Sequence, residues 1–149
     1  SASINPRTFR SLPRYKLGII MSIDLKKIRF LVVEDQPQAM LLLTTILKEL
    51  GAVEVYTAND GETALNLLGS AEDLFDIILC DWMMPRVSGF EVLQFVRSEK
   101  MDIPFVMITA NVDAKSVMLA RGSGVNAYIT KPYKVENIAS TLSDIIRQM

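Results

Sequence analysis

Five side chains able to hold a metal and a phosphoryl group lie far apart in this chain: Glu34, Asp35, Asp81, Thr109 and Lys131. Each sits at or just past the C-terminal end of an apolar run that reads as a buried strand. Ligands of open parallel sheets bind at the carboxyl ends of the strands. Such a sheet would therefore gather three carboxylates, one hydroxyl and one amine into a single pocket. Mg²⁺ favours hard oxygen donors and retains several waters. A carboxylate can also act as a nucleophile toward phosphorus, so the set suits metal-assisted phosphoryl chemistry.

The elements that must position these groups follow from local signals. Ile28 to Val33 is rich in β-branched residues and ends in acids, as a buried strand should. Pro37 then suits a first helical turn, Met40, Leu43, Leu47 and Leu50 recur at helical spacing, and Gly51 closes the helix. Ala52 to Tyr56 reads as a second strand. Asn59-Asp60-Gly61 turns the chain into a helix through Ala64, Leu67 and Leu68, with Asp60 as its cap. Phe75 to Cys80 is the third strand, and Ser88 with Glu91 makes a capping-box pattern for a helix carrying Val92, Leu93 and Val96. Phe105 to Ile108 is the fourth strand. Asn111 or Asp113 starts the next helix, which Gly122 and Gly124 end. Val125 to Ile129 is the fifth strand, and Val135, Ile138, Leu142 and Ile145 mark the last helix. Regular alternation predicts an α/β fold, a five-stranded parallel sheet doubly wound with five helices.

Composition narrows the chemistry. The chain has 149 residues, half of them hydrophobic and 22% charged, which suits one domain with a sizeable core. A formal net charge of −1 gives no general pull toward nucleic acid. No apolar run is long enough to cross a bilayer. The single cysteine, Cys80, precludes a disulfide within the chain and suits a reducing cytoplasm. The absence of histidine removes the commonest general base and the usual zinc ligand. Residues 1–22 carry Arg7, Arg10, Arg14 and Lys16, no acid, and the helix-breaking Pro6 and Pro13. This stretch reads as a basic disordered tail or an expression-derived extension, with Met21 as a natural start, and the domain spans residues 23–149.

Each candidate has a plainer reading. Adjacent acids in a loop are ordinarily solvated. Glu34 and Asp35, however, end a buried strand directly, where like charges lose hydration and a cation compensates them. Asp is common before turns, but the capping signal at Ser88 leaves Asp81 unneeded for that purpose. Met83 could offer a metal only its backbone carbonyl. Thr109 alone is an ordinary strand residue, yet at a pocket rim its hydroxyl can donate to a phosphoryl oxygen, and Ala110 leaves room beside it. Lysines usually face solvent; Pro132 fixes the backbone after Lys131, and an X-Pro bond in a tight turn can be cis.

The spacing of Glu34-Asp35, Asp81-x-x-x-Pro85, Thr109-Ala110 and Lys131-Pro132 resembles the receiver domain of two-component response regulators, from about residue 28 to the end. The resemblance implies a sheet of order 2-1-3-4-5. It implies that Asp81 accepts a phosphoryl group from the phosphohistidine of a sensor histidine kinase or histidine phosphotransfer protein. Glu34, Asp35, Asp81 and the Met83 carbonyl would hold Mg²⁺, Glu34 through water. Thr109 and Lys131 would bind phosphoryl oxygens, and Lys131–Pro132 would be a cis peptide. Thr109 and Tyr128 would form the switch that reshapes helix 4, strand 5 and helix 5, from about Asp113 onward, for a downstream protein. Such a chain is a signalling phosphoacceptor that catalyses its own phosphorylation and dephosphorylation, with neither nucleic acid nor membrane as partner.

Met83 stands where many relatives carry a polar residue, and its apolar side chain is expected to shield the acyl phosphate from water or else to pack against its loop. A flavin-binding protein of similar architecture would need a Ser/Thr/Gly-rich loop where this chain has Glu34-Asp35-Gln36-Pro37. An aspartate-nucleophile phosphatase would need a second acid where this chain has Asp81-Trp82-Met83. A degenerate receiver that only binds would lack active-site groups that are all present here. Asp81-Trp82 and the lone domain favour a stand-alone regulator, as in chemotaxis, over a phosphorelay intermediate or a receiver fragment of a larger hybrid kinase.

Overall fold

Parallel pairing puts five strands side by side in the order β2-β1-β3-β4-β5. The computed structural model describes residues 12–15, 17–18, 23–70, 72–110 and 113–149. The strands are β1 (Arg29–Val33), β2 (Glu54–Ala58), β3 (Ile77–Asp81), β4 (Phe105–Thr109) and β5 (Ala127–Thr130). The helices between and after them are α1 (Pro37–Glu49), α2 (Gly61–Ser70), α3 (Gly89–Ser98), α4 (Ala114–Gly122) and α5 (Val135–Arg147). Architecture and strand order match the sequence expectation.

The central strands bury both faces, as a doubly wound sheet requires. Val32, Leu79, Val106 and Ile108 face α1 and α5, meeting Leu43, Leu47, Ile138 and Leu142. Leu31, Val33, Ile78, Cys80 and Met107 face α2 and α3, meeting Ala64, Leu68, Val92 and Val96. Two cores on opposite sides hold the strand ends, and hence the site, in fixed register.

Strand boundaries differ from the sequence reading by one or two residues: β2 to β5 each run further at the C-terminal end, and the later starts of β2, β3 and β5 occur where a helix end or turn claims the backbone first. Ala52 donates its N–H to Leu47, completing the end of α1 around Gly51 at φ +104°. The second strand therefore begins at Glu54, paired with Arg29. Asp76 exchanges backbone and side-chain bonds with Arg29, and the third strand starts after it. Val125 donates to Ala120, so the fifth strand starts at Ala127.

Helix starts follow local chemistry. Ser88 accepts from the Glu91 N–H and Asp113 from the Ser116 N–H, while Asp60 accepts from the Thr63 N–H. Asn111, the other candidate start for α4, lies outside the described residues. So does most of the basic stretch. Of what is described there, Leu17 donates its N–H to Pro13, and Leu12 and Leu17 pack against the core beside α1 and α5. Among the described residues, no helix is long and apolar enough to cross a membrane.

Candidate functional site

Two strand ends deliver the three acids. Glu34 follows β1 directly and is buried; Asp35 comes next; Asp81 is the last residue of β3 and is also buried. One carboxylate oxygen from each of the three lies within 4.8 Å of the others. Glu34 Oε2 accepts the Gln36 N–H at 3.3 Å, and Asp35 Oδ2 accepts from the Gln36 side-chain amide at 3.4 Å. Asp35 Oδ1 is buried without a hydrogen-bond partner among the described residues. A buried carboxylate oxygen left unbonded is costly. Hard oxygen donors around such an orphan fit a divalent cation of the Mg²⁺ class.

The cation that the protein itself supplies is Lys131, one residue past β5. Its Nζ donates to Glu34 Oε1 at 2.9 Å and lies 3.4 Å from Asp81 Oδ2. Burial works to lower the Lys131 pKa. Glu34 and Asp81 outweigh that effect, and the ammonium is held above the usual lysine value. The Lys131 N–H donates to the Thr109 carbonyl at 2.8 Å, and the Lys131–Pro132 peptide is cis.

Thr109 ends β4 and is fully buried. Tyr128, on the neighbouring strand, interacts with the Thr109 side chain. Burial, with the nearby charge of Asp113, pushes the Tyr128 phenol above its ordinary pKa. Tyr133, two residues past Lys131, is pushed up to about 12 by burial and then by the charges of Glu34 and Asp81. Asp81 Oδ1 accepts the Met83 N–H at 3.4 Å, while the Met83 side chain is 64% exposed. It therefore extends into solvent and is not packed into its loop.

Sequence comparison adds to this geometry. Residues 30–143 match the family described as the response regulator receiver domain. The chain belongs to the response regulator receiver family. Among similar proteins, the Vibrio cholerae chemotaxis protein CheY-3 is 30% identical over 126 residues, covering 83% of this chain and 95% of that protein. The rice two-component response regulator ORR22 is 33% identical over 120 residues, covering 80% of this chain. The chain spans only 17% of that relative's length. In structure, the receiver superposes on the Francisella response regulator 1452 receiver domain with a TM-score of 0.73 at 25% identity, covering 82% of this chain and 98% of that one. Vibrio cholerae CheY4 gives 0.67 at 26% identity, with 81% and 97% covered.

All the named side chains except that of Met83 gather at one end of the receiver's sheet. Sequence analysis missed Gly89, which shapes the site, and Arg97, which braces the opposite end of the sheet. A Cβ on Gly89 would lie 2.0 Å from the Asp81 carbonyl oxygen, so α3 starts against the strand end only because that position has no side chain. The Ser88 cap marked that helix start, but not the closeness. Arg97 donates to the carbonyls of Met101, Ile103 and Gly124 and to the Asn126 side chain, tying α3 to the approach to β5. No sequence signal distinguishes it from a solvated arginine.

Proposed function

We propose that this receiver takes a phosphoryl group on Asp81 from a histidine-bound donor and converts it into an altered protein-binding face. The observation that carries this reading is the convergence of Glu34, Asp35 and Asp81 with Lys131 Nζ, 2.9 Å from one carboxylate and 3.4 Å from another. Phosphoryl transfer needs chiefly positioning and charge stabilisation, and these residues provide both.

Asp35, Asp81 and the Met83 carbonyl would hold Mg²⁺, with Glu34 acting through water. The ion would supply charge neutralisation for the phosphoryl oxygens. An Asp81 oxygen attacks phosphorus; the new O–P bond forms as the donor's N–P bond breaks and its electron pair returns to the imidazole. Lys131 leaves Asp81 or Glu34 to meet a phosphoryl oxygen as a point charge. The Thr109 hydroxyl turns from Tyr128 toward another. Tyr128 then moves into the vacated space, and the surface of α4, β5 and α5 changes by a shift between two populated states. The groove lined by Pro37, Met40, Leu41 and Val55 opens beside Glu34 and Asp35 and offers an apolar approach for the donor.

The functional unit in this reading is the receiver of residues 23–149, acting in the cytoplasm by protein contact. The match over 95% of the chemotaxis protein CheY-3 supports that first reading. The small share of the rice relative that is matched supports the second reading, a phosphorelay intermediate or a receiver within a longer hybrid kinase.

Intact-mass measurement after incubation with Mg²⁺ and a phosphorylated histidine kinase tests the reading. One added phosphoryl group is expected, absent from Asp81→Asn and absent when Mg²⁺ is chelated. An unchanged label in Asp81→Asn overturns it.

A further inference from the structure

Trp82, the only tryptophan in the chain, follows Asp81 and is held at both backbone ends. Its N–H donates to Ile108 at 3.0 Å, and its carbonyl accepts from Gly89 at 2.8 Å. Its indole stacks on Phe90, in the first turn of α3, with ring centroids 5.5 Å apart and planes 13° from parallel. On its other side it meets Tyr128 edge-on, at 6.3 Å and 71°. Phe90, Trp82 and Tyr128 thus form a row of three rings from α3 to β5, passing beside the proposed phosphoacceptor.

We infer that Trp82 is a positioning residue that latches Tyr128 in its present place, so that this aromatic row sets how readily the receiver switches. The inference rests on the reading of Asp81 and Tyr128 given above. A contact biases an equilibrium only if it differs between the two states. Phe90 and the two backbone bonds hold the indole in place, so it does not follow Tyr128 when that ring turns inward. The edge-to-face contact is then lost, and it belongs to the resting state alone. Aromatic pairs of this kind shift an equilibrium by about two- to tenfold.

The test uses the full chain labelled with fluorotyrosine, the Tyr128 resonance being assigned by its loss in Tyr128→Phe. The protein is titrated with beryllofluoride, a phosphoryl mimic, at saturating Mg²⁺. In Trp82→Leu the half-maximal beryllofluoride concentration is expected to fall about two- to tenfold. The resting Tyr128 resonance should move toward its beryllofluoride-bound position. Mg²⁺ affinity, read separately by thermal shift, should stay within about twofold, because no metal-binding atom is altered. Phe90→Leu, which removes only the support behind the indole, should act in the same direction by less and guards against a Trp82 variant that folds poorly. An unchanged midpoint and resting resonance in both variants overturns the latch, as does an Mg²⁺ affinity altered by the same factor. A parent that ignores beryllofluoride overturns the Asp81 reading instead. The resting resonance of Trp82→Leu still decides the latch in that case, and no movement there overturns it.

Discussion

Lys131 Nζ lies 2.9 Å from Glu34 Oε1, joining residues 97 positions apart in the chain. Glu34 is fully enclosed and Lys131 is only partly so. The pair therefore compensates a buried carboxylate, unlike the exposed pairs that contribute little. Removing one partner from a buried pair leaves the other charge uncompensated. Lys131→Ala is expected to cost about 3 kcal/mol of stability without metal. Urea unfolding with and without Mg²⁺ checks this; saturating Mg²⁺ should recover much of the loss by replacing one cation with another.

Asp35 shows the opposite balance. Its Oδ1 is orphaned, and its carboxylate lies beside two others. Like charges at that spacing repel, and the Lys131 ammonium is paired with Glu34 and Asp81. Asp35→Asn should therefore stabilise the metal-free protein by about 1 kcal/mol while removing its response to Mg²⁺. At a hundredfold excess over its dissociation constant, a bound ion stabilises by about 2.7 kcal/mol. Thermal unfolding across an Mg²⁺ series should show that rise in the parent and a flat line in the variant. A parallel rise in both would remove Asp35 from the metal site.

Gly89 has a sterically defined role. An added methyl would overlap the Asp81 carbonyl at 2.0 Å and the Trp82 backbone at 2.9 Å. Those atoms are backbone and cannot swing away as a side-chain tip would. Gly89→Ala should cost about 1–3 kcal/mol, as overpacking does, and should slow phosphorylation of Asp81 by pushing the strand end out of place. Denaturant unfolding together with a phosphorylation time course separates the two effects. A variant of parental stability would mean that α3 yields.

Met83 separates local chemistry from packing. With its side chain 64% exposed, it lacks the enclosing contacts that make core substitutions costly. Met83→Asn should change stability by less than about 0.5 kcal/mol. If the exposed thioether limits the approach of water to phosphorylated Asp81, the variant should lose its phosphoryl group faster. A decay rate equal to that of the parent, followed by intact mass, would exclude that shielding.

The strand ends were legible in the sequence because apolar runs stop abruptly at Glu34, at Asp81 and after Thr109, and because alternation with helical spacing leaves few topologies. Register supplied the rest: Asp81 pairs with Ile108 and Thr109 with Thr130, which brings the acids, the hydroxyl and Lys131 to one edge. Contacts that depend on side-chain direction were not legible. The row from Phe90 through Trp82 to Tyr128 joins residues from three elements, and neither spacing nor residue type marks it. Arg97 likewise reads as a solvated helix residue until the carbonyls that it gathers are seen around it.

Away from the site, Asp76 links the approach to β3 with the start of β1. Its Oδ2 accepts the Arg29 N–H at 2.8 Å and the guanidinium at 3.0 Å, and its other oxygen accepts at 3.1 Å. The Arg29 hydrogen bonds outweigh burial and hold the Asp76 carboxyl below the ordinary value of 3.8. A carboxyl depressed in the folded state contributes stability that is fully present above its unfolded pKa and is lost as pH falls through the folded one. The contribution should therefore be complete at neutral pH and should decline from about pH 4 downward. Partial exposure of both side chains moderates its size. Asp76→Asn should lower the melting temperature at pH 7, with the gap from the parent narrowing below about pH 4. Paired thermal scans across that range check the sign: a gap that widens with acid would mean that Arg29 does not stabilise the ionised form.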